Sequence, residues 1–92
     1  MGFHITETNR YGESNATFHY PESEKDRVLH KVLGVGYIKD NTELKRVYSK
    51  GQLLEAKSKL LGISNTLGEQ DFIDLCLLDI KDTNHNITII FN

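Results

Sequence analysis

The chain of 92 residues has one cysteine, no apolar run approaching a membrane span, no glycine-rich phosphate loop and no low-complexity stretch. Each absence removes a class of protein. Cys76 has no partner within the chain, so no disulfide framework exists. It lies inside the apolar run Phe72–Ile80 and reads as a small buried hydrophobe. A small domain without disulfides points to a reducing compartment. A bilayer span needs ~20 consecutive apolar residues, and no hydrophobic signal follows Met1. A cytoplasmic location and no membrane partner are therefore expected. Gly34-Val35-Gly36 lacks a third glycine and runs into a strand-like segment, so it offers no pyrophosphate cradle. No serine stands at a sharp strand-to-helix elbow, and the carboxylates are scattered. The expectation is a protein that is not an enzyme and uses no cofactor.

What is present suits one small domain covering residues 1–92, because a chain of this length builds a single core. The formal net charge is only -2, far from the basic balance usual for a nucleic-acid binder. Its distribution is uneven. Between Glu43 and Lys59 the cations Lys45, Arg46, Lys50, Lys57 and Lys59 outnumber the anions, whereas Glu69, Asp71, Asp74, Asp79 and Asp82 face only Lys81. The middle is basic and the C-terminal third acidic.

Hydrophobic period sets the elements. Gly2–Thr8 and Asn15–Tyr20 alternate as strands around a Tyr11-Gly12 turn. Folding there sets Phe3 opposite Tyr20, His4 opposite His19, Ile5 opposite Phe18 and Thr6 opposite Thr17, every pair matched in polarity. After Pro21, Ser23 and Asp26 resemble a capping box for a helix with Val28, Leu29, Val32 and Leu33 on one stripe and Gly34 as its stop. Val35, Tyr37 and Lys39 pair across an Asp40-Asn41 turn with Thr42, Leu44 and Arg46, the second hairpin reaching Tyr48. Ser49 then caps a helix in which Leu53, Leu54, Leu60 and Leu61 face inward and Gly62 ends the run. Thr42–Leu61 also fits one long helix, weakened by Gly51 by about 1 kcal/mol. Phe72–Ile80 fits either a helix or a strand. The polar Asp82–Asn86 turn and the β-branched run Ile87–Phe91 favour a terminal hairpin. The architecture expected is an α+β fold in which an antiparallel sheet of hairpins carries two helices on one face, in the order ββα-ββ-α-ββ.

Few residues carry a chemical signal. His4 and His19, opposed on the first hairpin, are the only weak metal candidates, and no third ligand has a telling spacing. Asp82–Asn86 mimics the start of a calcium loop, but Ile87 stands where glycine is needed. Arg10 and Tyr11 at the hairpin tip suit a partner contact. Lys45, Arg46, Lys50 and Lys57 form a basic set, with Lys50 and Lys57 set among the leucines of the second helix. The function these features suggest is a non-enzymatic protein-interaction module, such as a small inhibitor, an immunity-type protein or a phage-encoded modulator, acting through its sheet and the Arg10–Tyr11 turn. Two alternatives stand beside it. One is a nucleic-acid-associated protein using segment 43–59, and the other a metal-binding protein or small metal-dependent enzyme using His4 and His19. The segregated charges and the strand Ile87–Phe91 suit a monomer or weak homodimer.

Overall fold

A computed structural model describes residues 3–36, 42–63 and 67–92. Its elements are β1 (Phe3–Thr8), β2 (Ala16–Tyr20), α1 (Val28–Val32), β3 (Leu44–Tyr48), α2 (Lys50–Leu61), α3 (Glu69–Thr83) and β4 (Ile87–Phe91). The strands form one antiparallel sheet in the order β2-β1-β4-β3. Helices pack against one side of it, the α+β arrangement that the sequence implies. The two-residue strand period explains the two faces. Ile5, Ala16, Tyr20, Tyr48, Ile87, Ile89 and Phe91 point beneath the helices and are buried, while His4, Thr17, His19, Lys45 and Val47 point away and are exposed.

The β1–β2 pairing follows the expected register throughout, with Phe3 opposite Tyr20, His4 opposite His19, Ile5 opposite Phe18 and Thr6 opposite Thr17. Asn9 closes the turn: its Oδ1 accepts from the backbone N–H groups of Tyr11 at 2.9 Å and Glu13 at 3.0 Å. Gly12, at φ +79°, takes the left-handed conformation the turn requires.

The helical segments depart from expectation in three places. α1 starts at Val28 with Arg27 at its N-cap and no side-chain cap, so Ser23 and Asp26 do not form a capping box. Residues 22–27 contain no apolar side chain, and a short helix forms only where packing supports it. Its stop at Gly34, φ +74°, is as expected. In the middle of the chain, Ser49 is extended and caps α2 in a full capping box, accepting from Gln52 N while Gln52 Oε1 accepts from Ser49 N. That cap separates β3 from α2 and excludes one helix over 42–61. β3 pairs with β4, and Val35 and Gly36 lie outside any strand. Residues 37–41, where the rest of the second hairpin's first strand was placed, lie outside the described residues. Finally, Phe72–Ile80 is helical, not a strand, and belongs to the 15-residue α3. Asp82–Asn86 is therefore a helix end: Asn84 at φ 59° is the left-handed C-cap before β4.

Two buried tyrosines tie helices to sheet. Tyr20 Oη donates to Glu69 Oε2 at 3.1 Å and accepts from Leu29 N at 3.1 Å, joining β2 to the starts of α3 and α1. Tyr48 Oη donates to the Leu33 carbonyl at 2.7 Å, just beyond the end of α1. Removing a hydroxyl that serves two buried groups leaves both unsatisfied, at about 1–3 kcal/mol. Tyr20→Phe should accordingly lower the unfolding free energy in urea by about 2 kcal/mol. A change below about 0.5 kcal/mol would show that the Tyr20 bridge does not hold α1 and α3.

Candidate functional site

The sequence-derived candidates separate in space. Tyr11 is 66% exposed at the hairpin tip, and Arg10 beside it points its guanidinium at His85 Nε2 beyond the end of α3. The basic set does not converge. Lys45 lies on the open face of β3, Arg46 on the opposite side at the sheet rim, and Lys50 at the start of α2. Lys57 reaches across to α3 and pairs with Asp74 at 2.7 Å. His4 and His19 stack with ring centroids 4.2 Å apart and are both exposed. Among the described residues no group of three or more His, Cys, Asp or Glu is arranged to hold a metal ion.

The unexpected chemistry lies inside. Glu7 follows Ile5 on the inward side of β1 and is wholly buried. Asp79 on α3 is buried above it. Glu7 Oε1 accepts from Asn15 N at 3.3 Å, and Asp79 Oδ1 accepts from Asn9 Nδ2 at 3.2 Å. Glu7 Oε2 and Asp79 Oδ2 are buried with no donor among the described residues. One proton shared between the two carboxyls satisfies both, since a protonated carboxyl donates and a carboxylate accepts. Burial, then the hydrogen bond to Asp79 and its charge, push the Glu7 pKa from 4.5 to about 8. Burial also opposes the charge on Asp79, but hydrogen bonds from Glu7, Asn9 and Asn15 outweigh it and hold that carboxyl below its usual range. Near the pair, burial pushes the Cys76 thiol far up, with the Glu7 and Asp79 charges adding to the effect. The thiol stays protonated at neutral pH and is a poor nucleophile. A signal for the pair existed: Glu7 shares the phase of Phe3 and Ile5 on the strand.

The recess between the end of α1 and α2, lined by Val32, Leu33, Tyr48, Gln52, Glu55 and Lys59, holds ≈ 150 Å³. That is below the ~300–1,000 Å³ of sites that enclose small molecules.

The outside of the helical layer is different in kind. Leu53, Ala56 and Leu60 bury one row of α2, while Leu54 and Leu61 remain 48% and 69% exposed, so they do not face inward as expected. On α3, Leu75 and Leu78 are 45% and 52% exposed. Helical spacing puts Leu54, Lys57 and Leu61 on one row and Asp74 and Leu78 on another. The Lys57–Asp74 pair joins those rows. Leu54, Leu61 and Leu78 thus stand on the two rows that the bridge joins, with Leu75 one turn before Leu78 on the outward side of α3. No protein-family model, curated protein or solved structure matches this chain.

The pH response of stability follows from two buried groups. A raised Glu7 pKa means that the unfolded chain loses its proton first, so Glu7 lowers stability progressively as pH rises from 4.5 to about 8. His30 is opposite in sign. Burial, then the Arg27 charge, lower its pKa from 6.5 to about 4, so it adds stability as pH rises through that range. The two offset each other from about pH 4.5 to 6.5, and Glu7 acts alone above that. Thermal melts should show a plateau, then a fall of roughly 1–2 kcal/mol between pH 6.5 and 8. Glu7→Gln should abolish the fall and leave stability rising from pH 4.5 to 6.5. An unchanged decline above pH 6.5 in Glu7→Gln would remove Glu7 as its cause.

Proposed function

We propose that this protein is an interaction module that engages another protein chain through the outer face of α2 and α3. The observation that carries the reading is that Leu54 and Leu61 on α2 and Leu75 and Leu78 on α3, each close to half exposed or more, lie on the outside of two helices joined by the Lys57–Asp74 bridge. Scattered exposed leucines are ordinary, but a contiguous apolar patch on a small domain marks a contact surface. The charges support it: Lys50 and Lys57 alternate with the leucines of α2, and Asp71, Asp74 and Asp82 with those of α3, so apolar contact comes with charges that orient a partner. A small inhibitor, an immunity-type protein or a phage-encoded modulator would use such a surface.

The other surfaces supply less. Among the described residues, the open sheet face presents His4, Thr6, Thr8, Thr17, His19, Thr88 and Lys45 with Val47 and Ile90 as its apolar members, the pattern of a solvated antiparallel face. The Arg10–Tyr11 turn offers one aromatic anchor. For nucleic acid, a row of cations should track the phosphates, whereas Lys45 and Arg46 point to opposite sides of β3 and Lys57 is paired.

Photo-crosslinking in the native cell tests the surface. A photoreactive side chain at position 61 or 78 should give covalent protein adducts, and one at position 11 or 17 should give few. Adducts formed at 11 or 17 but not at 61 or 78 would defeat this reading.

A further inference from the structure

We propose that the chain covering the α2–α3 face is a second copy of this protein, in a two-fold symmetric dimer that sets α2 of each copy against α3 of the other. The proposal rests on the leucine face described above and adds the identity of its occupant. The argument is charge complementarity within one surface. The leucine-bearing side of α2 carries Lys50, Leu54, Lys57 and Leu61, so its charges are all positive. The anion on that helix, Glu55, lies on the far flank and pairs with Lys59 at 3.6 Å beside the recess under α1. The outward side of α3 carries Asp71, Asp74, Leu75, Leu78 and Asp82, with Lys81 at its margin.

A symmetric interface requires a patch that complements itself, each residue on one copy meeting its counterpart's partner on the other. This face meets that requirement. Turned about a two-fold axis between the helices, the basic leucine row of α2 lies on the acidic leucine row of the second α3, and the same contact forms again on the other side. Leucine meets leucine and lysine meets aspartate at both. A partner of a single charge sign would match one helix and oppose the other. The second copy matches both, and like-charge contacts would disfavour the parallel pairing of α2 on α2.

Sedimentation equilibrium of the purified protein should show a monomer–dimer equilibrium in the micromolar range, weakening as salt rises. Leu61→Asn with Leu78→Asn should weaken it at least tenfold. The arrangement itself is tested by charge reversal. Lys50→Asp with Lys57→Asp makes both rows acidic, Asp71→Lys with Asp74→Lys makes both basic, and each protein alone should be monomeric. Mixed, the two should dimerise again, because every α2–α3 contact then joins opposite signs. Circular dichroism verifies that the variants fold, and the leucine variants, which keep the Lys57–Asp74 pair, give the same test if either charge variant does not. A monomeric wild type, a dimer indifferent to the leucine changes, or a mixture that stays monomeric would each overturn the proposal. The first outcome together with crosslinks at position 61 to a different protein would leave the contact face standing and refute only its occupant. The absence of both dimer and crosslinks would refute the two together.

Discussion

Glu7 stands on the inward side of a central strand, between Ala16 on β2 and Ile89 on β4, where its carboxyl has no route to water. Two ionised carboxylates in such a place would repel and lose their hydration; one ionised and one neutral can share a proton and satisfy each other. The longest helix must therefore bring Asp79 over that point of the sheet, which fixes the position of α3 along its axis as well as its distance. Asn9 adds a second constraint, because the side chain that closes the β1–β2 turn also donates to Asp79. The register of the first hairpin, the placement of α3 and the form of the exposed Arg10–Tyr11 turn are thus coupled through one buried network. In such a network every member must be satisfied, or all of it becomes costly.

The same network shows what the residues disclosed and what they concealed. The first hairpin was legible because polarity matches at four opposed positions about a short turn, and a one-residue slip would put Ile5 and Phe18 on opposite sides. Ser49 and Gln52 disclosed the start of α2, since capping is chemistry between near neighbours. α3 was not legible as such. Phe72, Ile73, Cys76, Leu77 and Ile80 fit a helix while Ile73, Leu75 and Leu77 alternate as a strand, and the left-handed cap at Asn84 uses the residue types that also make hairpin turns. What settles the matter is long-range: Asp79 has a reason to be buried only when Glu7 lies beneath it, 72 positions earlier in the chain. In α1 the capping pattern of Ser23 and Asp26 was misleading and the lack of any apolar side chain in residues 22–27 decisive, which leaves a helix of one turn and a fraction.

The leucines of α2 follow from helix geometry. Adjacent residues differ by 100° around the axis, so on a helix that buries one narrow row the neighbours Leu53–Leu54 and Leu60–Leu61 are divided between inside and outside. Leu53 and Leu60 take the inside with Ala56 between them. Assigning all four to the interior treats leucine as a sign of burial, whereas burial is allotted by position. A small domain has little core to share, and apolar residues beyond its capacity remain on the outside. Here they remain together, on the side of α2 that borders α3.

Charge adds direction to that surface. Along the chain the basic middle and acidic end lie apart; where α2 packs beside α3 they are brought together, bridged by Lys57 and Asp74. Both partners of that bridge are partly exposed, and such pairs contribute at most about 1 kcal/mol, too little to hold the helices together. Packing does that, through Leu53, Leu60, Phe72, Ile73 and Cys76. The surface charges are better understood as selecting among orientations of whatever settles on the leucines, since opposed signs steer an encounter and like signs reject it. An apolar strip alone would accept many partners in many poses, while a leucine strip flanked by lysines on one helix and aspartates on the next accepts only a surface with the reverse arrangement.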